Sequence, residues 1–213
     1  MVNIVCIDNT AFLSILISSI ESYPSKFEGK KKPAGVSPEG ETIGLLFGQR
    51  IEEEDHTTYN VTLATPIQIL KNKNSEGVDP SEKHINKIID TVCSFPMYQF
   101  LGQYHSHPYP KKDFKENSAT DPSEDDVDGI VQVATRFDKN IIEVIMGLTF
   151  FGKEYNYTPT YLDNHLIRNY CKGYKYVLGA YISNIEIQKV ESVDNLICPI
   201  CVGIGNMDLA TID

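Results

Sequence analysis

The chain has 213 residues, 41% of them hydrophobic, and a formal net charge of −10. That is the length of one domain, with room for an added tail, and enough apolar content for a core, which excludes wholesale disorder. The acidic balance and the lack of a long basic run exclude a general nucleic-acid binder.

Residues 2–7 predict a short strand, and Ala11–Ser22 predict a helix with Thr10 as its cap. This apolar stretch has no basic leader, carries Asp8, and is too short for a membrane span. Five cysteines, an odd count without framework spacing, point with it to reduced thiols in a cytosol. Residues 24–40, with Pro24, Pro33, Gly35, Pro38 and Gly40, predict a loop in which Lys30, Lys31 and Lys32 are solvated. Two strands follow, "ETIGLLFGQRIEEE" at 41–54 and "TTYNVTLATPIQIL" at 57–70, both dense in β-branched residues. Residues 71–79 predict a polar loop.

"DPSEKHINKIIDTVCSF", 79–95, predicts a helix capped by Asp79 or Ser81, with Ile85, Ile88, Ile89 and Val92 at helical spacing. "QFLGQYHSH", 99–107, predicts a strand and 108–122 a loop. "SEDDVDGIVQVATRF", 123–137, predicts a helix with Val127, Ile130, Val131 and Ala134 on one face. "IIEVIMGLTFF", 141–151, predicts a buried strand. Beyond it come a tyrosine-rich loop at 152–165, a short helix at 163–172, and late strands at 175–184 and 185–193. The expected architecture is α/β in the α+β sense, a mixed and mostly antiparallel sheet flanked by helices. Residues 1–195 form the expected domain, and 196–213 a tail with the "CPIC" pair Cys198 and Cys201.

The chemistry concentrates at "GQYHSHP". Side chains alternate faces along a strand, so His105 and His107 point one way and Ser106 the other. Two converging imidazoles suit a metal ion, and a catalytic zinc takes a third protein ligand while leaving a position open. Ser123 and Asp126 stand three residues apart at a helix start, so both lie on its first turn, where a serine cap would hold the aspartate in place. Ser118 and Asp121 repeat the same Ser-x-x-Asp spacing, but Pro122 keeps that pair outside the helix. Glu41 opens an otherwise apolar strand and offers a base, although spacing alone does not bring it to the histidines. The Cys198/Cys201 pair is half of a structural zinc pattern that His165 and Cys171 could complete.

Taken together and in this order, "ETIGLLFG", "GQYHSHP" and "PSEDDVDGI" resemble the JAMM (JAB/MPN+) zinc metallopeptidases. The helix at 79–95 also falls where that family has one, and the likeness in element order runs over roughly residues 1–190. The resemblance implies a JAB/MPN-like, cytidine-deaminase-like core. It implies zinc held by His105, His107 and Asp126 with water as fourth ligand, Glu41 as proton shuttle, and Ser123 as an oxyanion donor. It implies an isopeptidase or peptidase that cuts after the C-terminus of ubiquitin or a ubiquitin-like protein. Family deubiquitinases grip ubiquitin with insertions that correspond to 66–80 and 150–165 here. Rival readings are a JAMM peptidase that trims another precursor, as in antiviral or sulfur-carrier operons, a non-catalytic MPN scaffold, and a RadC-like protein. The complete ligand set and the "HSHP" spelling favour the peptidase. One departure is the gap between His107 and Ser123, which is longer than the family's usual spacing and implies an extended loop beside the site.

Overall fold

The computed structural model describes residues 1–29, 40–67, 70–74, 77–80, 82–153 and 159–202, with the backbone alone described for 70–74, 77–80 and 201–202. In chain order the first elements are β1 (Val2–Ile7), α1 (Asn9–Ser22), β2 (Ile43–Glu52), β3 (His56–Pro66), β4 (Leu70–Asn74), β5 (Gly77–Pro80) and α2 (Glu82–Cys93). There follow β6 (Gln99–Tyr109), α3 (Glu124–Phe137), β7 (Ile142–Phe150), β8 (Thr160–Asp163), β9 (Leu166–Cys171), β10 (Tyr174–Asn184), β11 (Lys189–Ser192), β12 (Asn195–Ile197) and the short α4 (Pro199–Val202).

Ten strands form one sheet in the order β12-β1-β3-β2-β6-β7-β10-β9-β8, with β11 pairing the C-terminal half of β10. Only β1 with β12, β1 with β3, and β6 with β7 run parallel among the described strands. The fold is therefore mixed α/β with a mostly antiparallel sheet. On one face Phe12 and Ile15 of α1 pack with Leu46, Tyr104 and Val144. On the other, Ile89 of α2 and Ile130, Val131 and Ala134 of α3 pack with Leu45, Phe47, Phe100 and Ile141. Leu45 and Leu46 face opposite sides because strand side chains alternate. No helix among the described residues is long and apolar enough to cross a membrane.

Several expectations change. Asp8, not Thr10, caps α1: its Oδ1 accepts from the Ala11 amide at 2.8 Å, leaving Thr10 inside the first turn. Residues 71–79 are not a plain loop, because β4 and β5 pair as an antiparallel hairpin. The helix expected over 163–172 is strand instead. Leu166 and Ile167 are buried, and β9 satisfies its backbone along β10 from Cys171 to Leu166. The strand expected over 185–193 shortens to β11 because 185–188 forms the turn that follows β10. The sheet continues past residue 195, since β12 pairs Leu196 and Ile197 with Val5 and Cys6, and Cys198 is buried in the core. Caps at Asp79 and Ser81, the lysine loop, Tyr155, Tyr157 and the end of the tail lie outside the described side chains.

Parallel neighbours need a crossover connection, and α3 is the crossover between β6 and β7. The N-terminus of α3 thus comes back beside the C-terminal part of β6, the usual position for sites in such units. Two glycines let the connecting loop lie directly on the sheet. A Cβ on Gly147, the register partner of His107, would stand 2.3 Å from the Ala119 carbonyl oxygen, and one on Gly179 would stand 2.6 Å from Thr120 Oγ1. Ala119 and Thr120 are buried there, and Thr120 Oγ1 meets Tyr181 Oη at 3.1 Å. Glu116 fastens the same loop to Lys175 and, at 2.7 Å, to Arg168. Gly147→Ala is expected to push the loop off the sheet and cost about 1–3 kcal/mol, read as a lower urea midpoint at unchanged m-value.

Candidate metal centre

His105 and His107 project from the same face of β6, and their Nε2 atoms lie 2.9 Å apart. Asp126 meets them from the first turn of α3, with Oδ1 at 3.4 Å from His105 Nε2 and Oδ2 at 3.5 Å from His107 Nε2. One donor atom from each of the three lies within 4.8 Å of the other two. Four-coordinate zinc with bonds of about 2.0–2.2 Å sets its donors roughly 3.4 Å apart, so two imidazoles and a carboxylate at these separations fit that ion.

Local sequence explains the aspartate's position. Ser123 is the N-cap of α3, and its Oγ accepts from the Asp126 amide at 3.2 Å. Asp126 closes the capping box, its Oδ2 accepting from the Ser123 amide at 2.8 Å and the Ser123 hydroxyl at 2.7 Å. The serine proton is thereby committed to Asp126, and donating it elsewhere requires the hydroxyl to turn. Burial works against ionised Asp126, yet hydrogen bonds with His105, His107 and Ser123 outweigh it and hold the carboxyl far below its ordinary range. Ser123→Ala is expected to destabilise α3 by about 0.5–2 kcal/mol. Thermal melts of the variant beside wild type check this.

Glu41 arrives through Ser106, the residue between the histidines. Ser106 points to the opposite side and is fully buried, its Oγ accepting from the Thr42 amide at 3.0 Å while its own amide donates to the Thr42 carbonyl at 3.0 Å. Ile43 pairs with His105, so continuing the antiparallel register sets Glu41 beside His107, just ahead of β2. Burial lifts the Glu41 carboxyl above the usual glutamate range, the charges of His105 and His107 pull it down, and Asp126 pushes it up. A carboxyl raised in this way is better matched to proton transfer near neutral pH.

Glu143 on β7 has no role in the sequence reading. Its Oε1 lies 2.6 Å from His105 Nδ1, and it is 1% exposed. Burial alone would depress the His105 imidazole, but the hydrogen bonds it donates to the Asp126 and Glu143 carboxylates, and the charges of those groups, raise it to about 10. A signal did exist in the sequence, since Glu143 is the lone charge inside the apolar run "IIEVIMGLTFF".

Asp121 does not join the cluster. It is exposed, its amide bonds the Ser118 carbonyl at 3.4 Å, and its charge acts on Tyr109, His165 and Tyr181. Tyr109 lies against the His107 ring with centroids 6.2 Å apart, and its phenol is pushed up by burial and by Asp121, Glu41 and Asp126. Among the described residues His165, Cys171 and Cys198 form no metal-holding group, and the Cys201 side chain lies outside them. A second group, Glu53, Asp55 and His56, sits at the β2–β3 turn with both carboxylates exposed and His56 Nδ1 at 2.7 Å from Asp55. No protein-family model and no curated protein matches this chain in sequence.

Proposed function

We propose that this chain is a JAMM-type zinc metallopeptidase with a JAB/MPN-like core. Its substrate on this reading is the bond that follows the C-terminal glycine of ubiquitin or a ubiquitin-like protein. The observation that carries the reading is the convergence of His105, His107 and Asp126 with Glu41 on the same face. His105 Nε2, His107 Nε2 and the Asp126 carboxylate would hold the ion. Zinc bound there supplies a Lewis acid for the scissile carbonyl and brings the pKa of its water to about 7.

The protein's own groups account for the remaining steps. The Glu41 carboxylate accepts a proton from the attacking water as the new carbon–oxygen bond forms. It then delivers that proton to the leaving amine nitrogen as the carbon–nitrogen bond breaks, so the reaction consumes one water and leaves an acid and an amine. Ser123, if its hydroxyl turns from Asp126, donates to the oxygen that gains charge. No thiol takes part. The substrate half follows from the motif resemblance, and an extended C-terminal tail laid along a strand edge is the mode such a sheet would use.

The test is a set of ubiquitin and ubiquitin-like domains, each carrying a C-terminal extension. We expect cleavage after the terminal glycine of at least one, stopped by a chelator and untouched by a thiol alkylator. Cleavage confined to unrelated peptides would reassign the substrate to precursor trimming. Chelator-resistant cleavage would remove the metal reading.

A further inference from the structure

We propose that Glu143 is the positioning residue of this centre: its carboxylate accepts the Nδ1 proton of His105 and thereby turns His105 Nε2, as the free donor, toward the ion. The inference rests on the metallopeptidase reading above and adds to it a residue outside the ligand set and the proton shuttle.

Glu143 is an expensive residue for its place. It is 1% exposed and flanked by Ile142 and Val144, both fully buried. A carboxyl in such surroundings loses its water and must recover the cost through partners. Among the described residues its carboxyl has one hydrogen-bond partner: Oε1 meets His105 Nδ1 at 2.6 Å, while Oε2 is buried with none. Strand cohesion does not need that contact, because β6 and β7 are already paired from Gly102 with Ile142 to Tyr109 with Thr149. An apolar side chain of similar volume would pack there at less cost. Its one partner is the imidazole whose other nitrogen faces His107 and Asp126.

Tautomer chemistry supplies the reason. A neutral imidazole carries one N–H, and an acceptor on Nδ1 fixes that proton there and leaves the Nε2 lone pair for a metal. The two histidines differ in this respect. His107 Nδ1 is also buried, but no hydrogen-bond partner meets it among the described residues. Of the two imidazoles, His105 is therefore the one whose ring is held by a partner on Nδ1, and Glu143 does the holding. Register explains how β7 delivers it: Glu143 pairs with Gln103, on the same face as His105 and two residues before it.

The experiment is zinc affinity of the full chain, measured by competition with a chromophoric chelator, for wild type, Glu143→Leu and Glu143→Gln. Glu143→Leu should bind zinc roughly 10–100-fold more weakly, and Glu143→Gln, which keeps an acceptor oxygen, should lose less. In the zinc-loaded proteins the Nδ1–H resonance of His105 should move in both variants, whereas packing loss alone would lower the melting temperature and leave that resonance in place. Wild-type affinity with an unmoved resonance in Glu143→Leu, or in Glu143→Gln should the leucine variant fail to fold, overturns the proposal while leaving the metal reading standing. A wild type that binds no zinc overturns the metal reading, and this inference with it.

Discussion

Glu41→Gln is expected to keep the fold and the zinc and to lose turnover by about 10²–10⁴-fold. Glutamine has nearly the same shape as glutamate, so the link between the Glu41 strand and β6 through Thr42 and Ser106 survives the change. What it removes is a carboxylate that takes a proton and gives it back. Glu41 is not among the three clustered donors, so zinc content should stay at the wild-type level. A residual rate is consistent with the account, because the metal still acidifies water without the base. Wild-type turnover in this variant would remove Glu41 from the mechanism. Loss of zinc would instead make it a ligand.

Asp126→Asn should abolish measurable turnover and weaken zinc binding, while Asp121→Asn should leave both near wild type. The two substitutions are chemically identical and five residues apart, so their contrast reads position and nothing else. Asp126 meets both histidines within 3.5 Å and is gripped by the Ser123 cap. Asparagine still fits that capping box but brings a neutral amide oxygen where the two histidines have a charged one. Asp121 instead sits exposed before Pro122, with its charge directed at Tyr109, His165 and Tyr181. The opposite result would move the metal ligand out of α3 into the loop ahead of it.

How far the sequence carried depends on whether an interaction is local. The alternation of His105 and His107 and the cap-to-aspartate spacing of Ser123 and Asp126 follow from strand and helix periodicity, which short segments display directly. The apolar stripes of α2 and α3, expected over 79–95 and 123–137, were legible for the same reason, although α2 starts only at Glu82 because β5 takes 79–80. Three features were not. Glu41 reaches the site through an antiparallel register fixed by Ser106 across 64 residues, and no spacing within one strand encodes that. The loop after β6 lies flat because Gly147 and Gly179, on two other strands, have no side chains to hold it off. The stretch 163–172 resembled a helix, yet the open edge of β10 offered its backbone partners that decided for strand. Asp8 was readable and missed: a carboxylate three residues ahead of Ala11 suits a cap at least as well as Thr10 does.

His105, His107 and Asp126 together are proposed to hold one zinc. Elemental analysis of the purified wild type, after dialysis against metal-free buffer, measures this beside a His105→Ala/His107→Ala double variant. About one zinc per wild-type chain and none in the double variant is expected. A wild type that takes up no zinc when it is supplied, or a double variant that keeps the full complement, contradicts it.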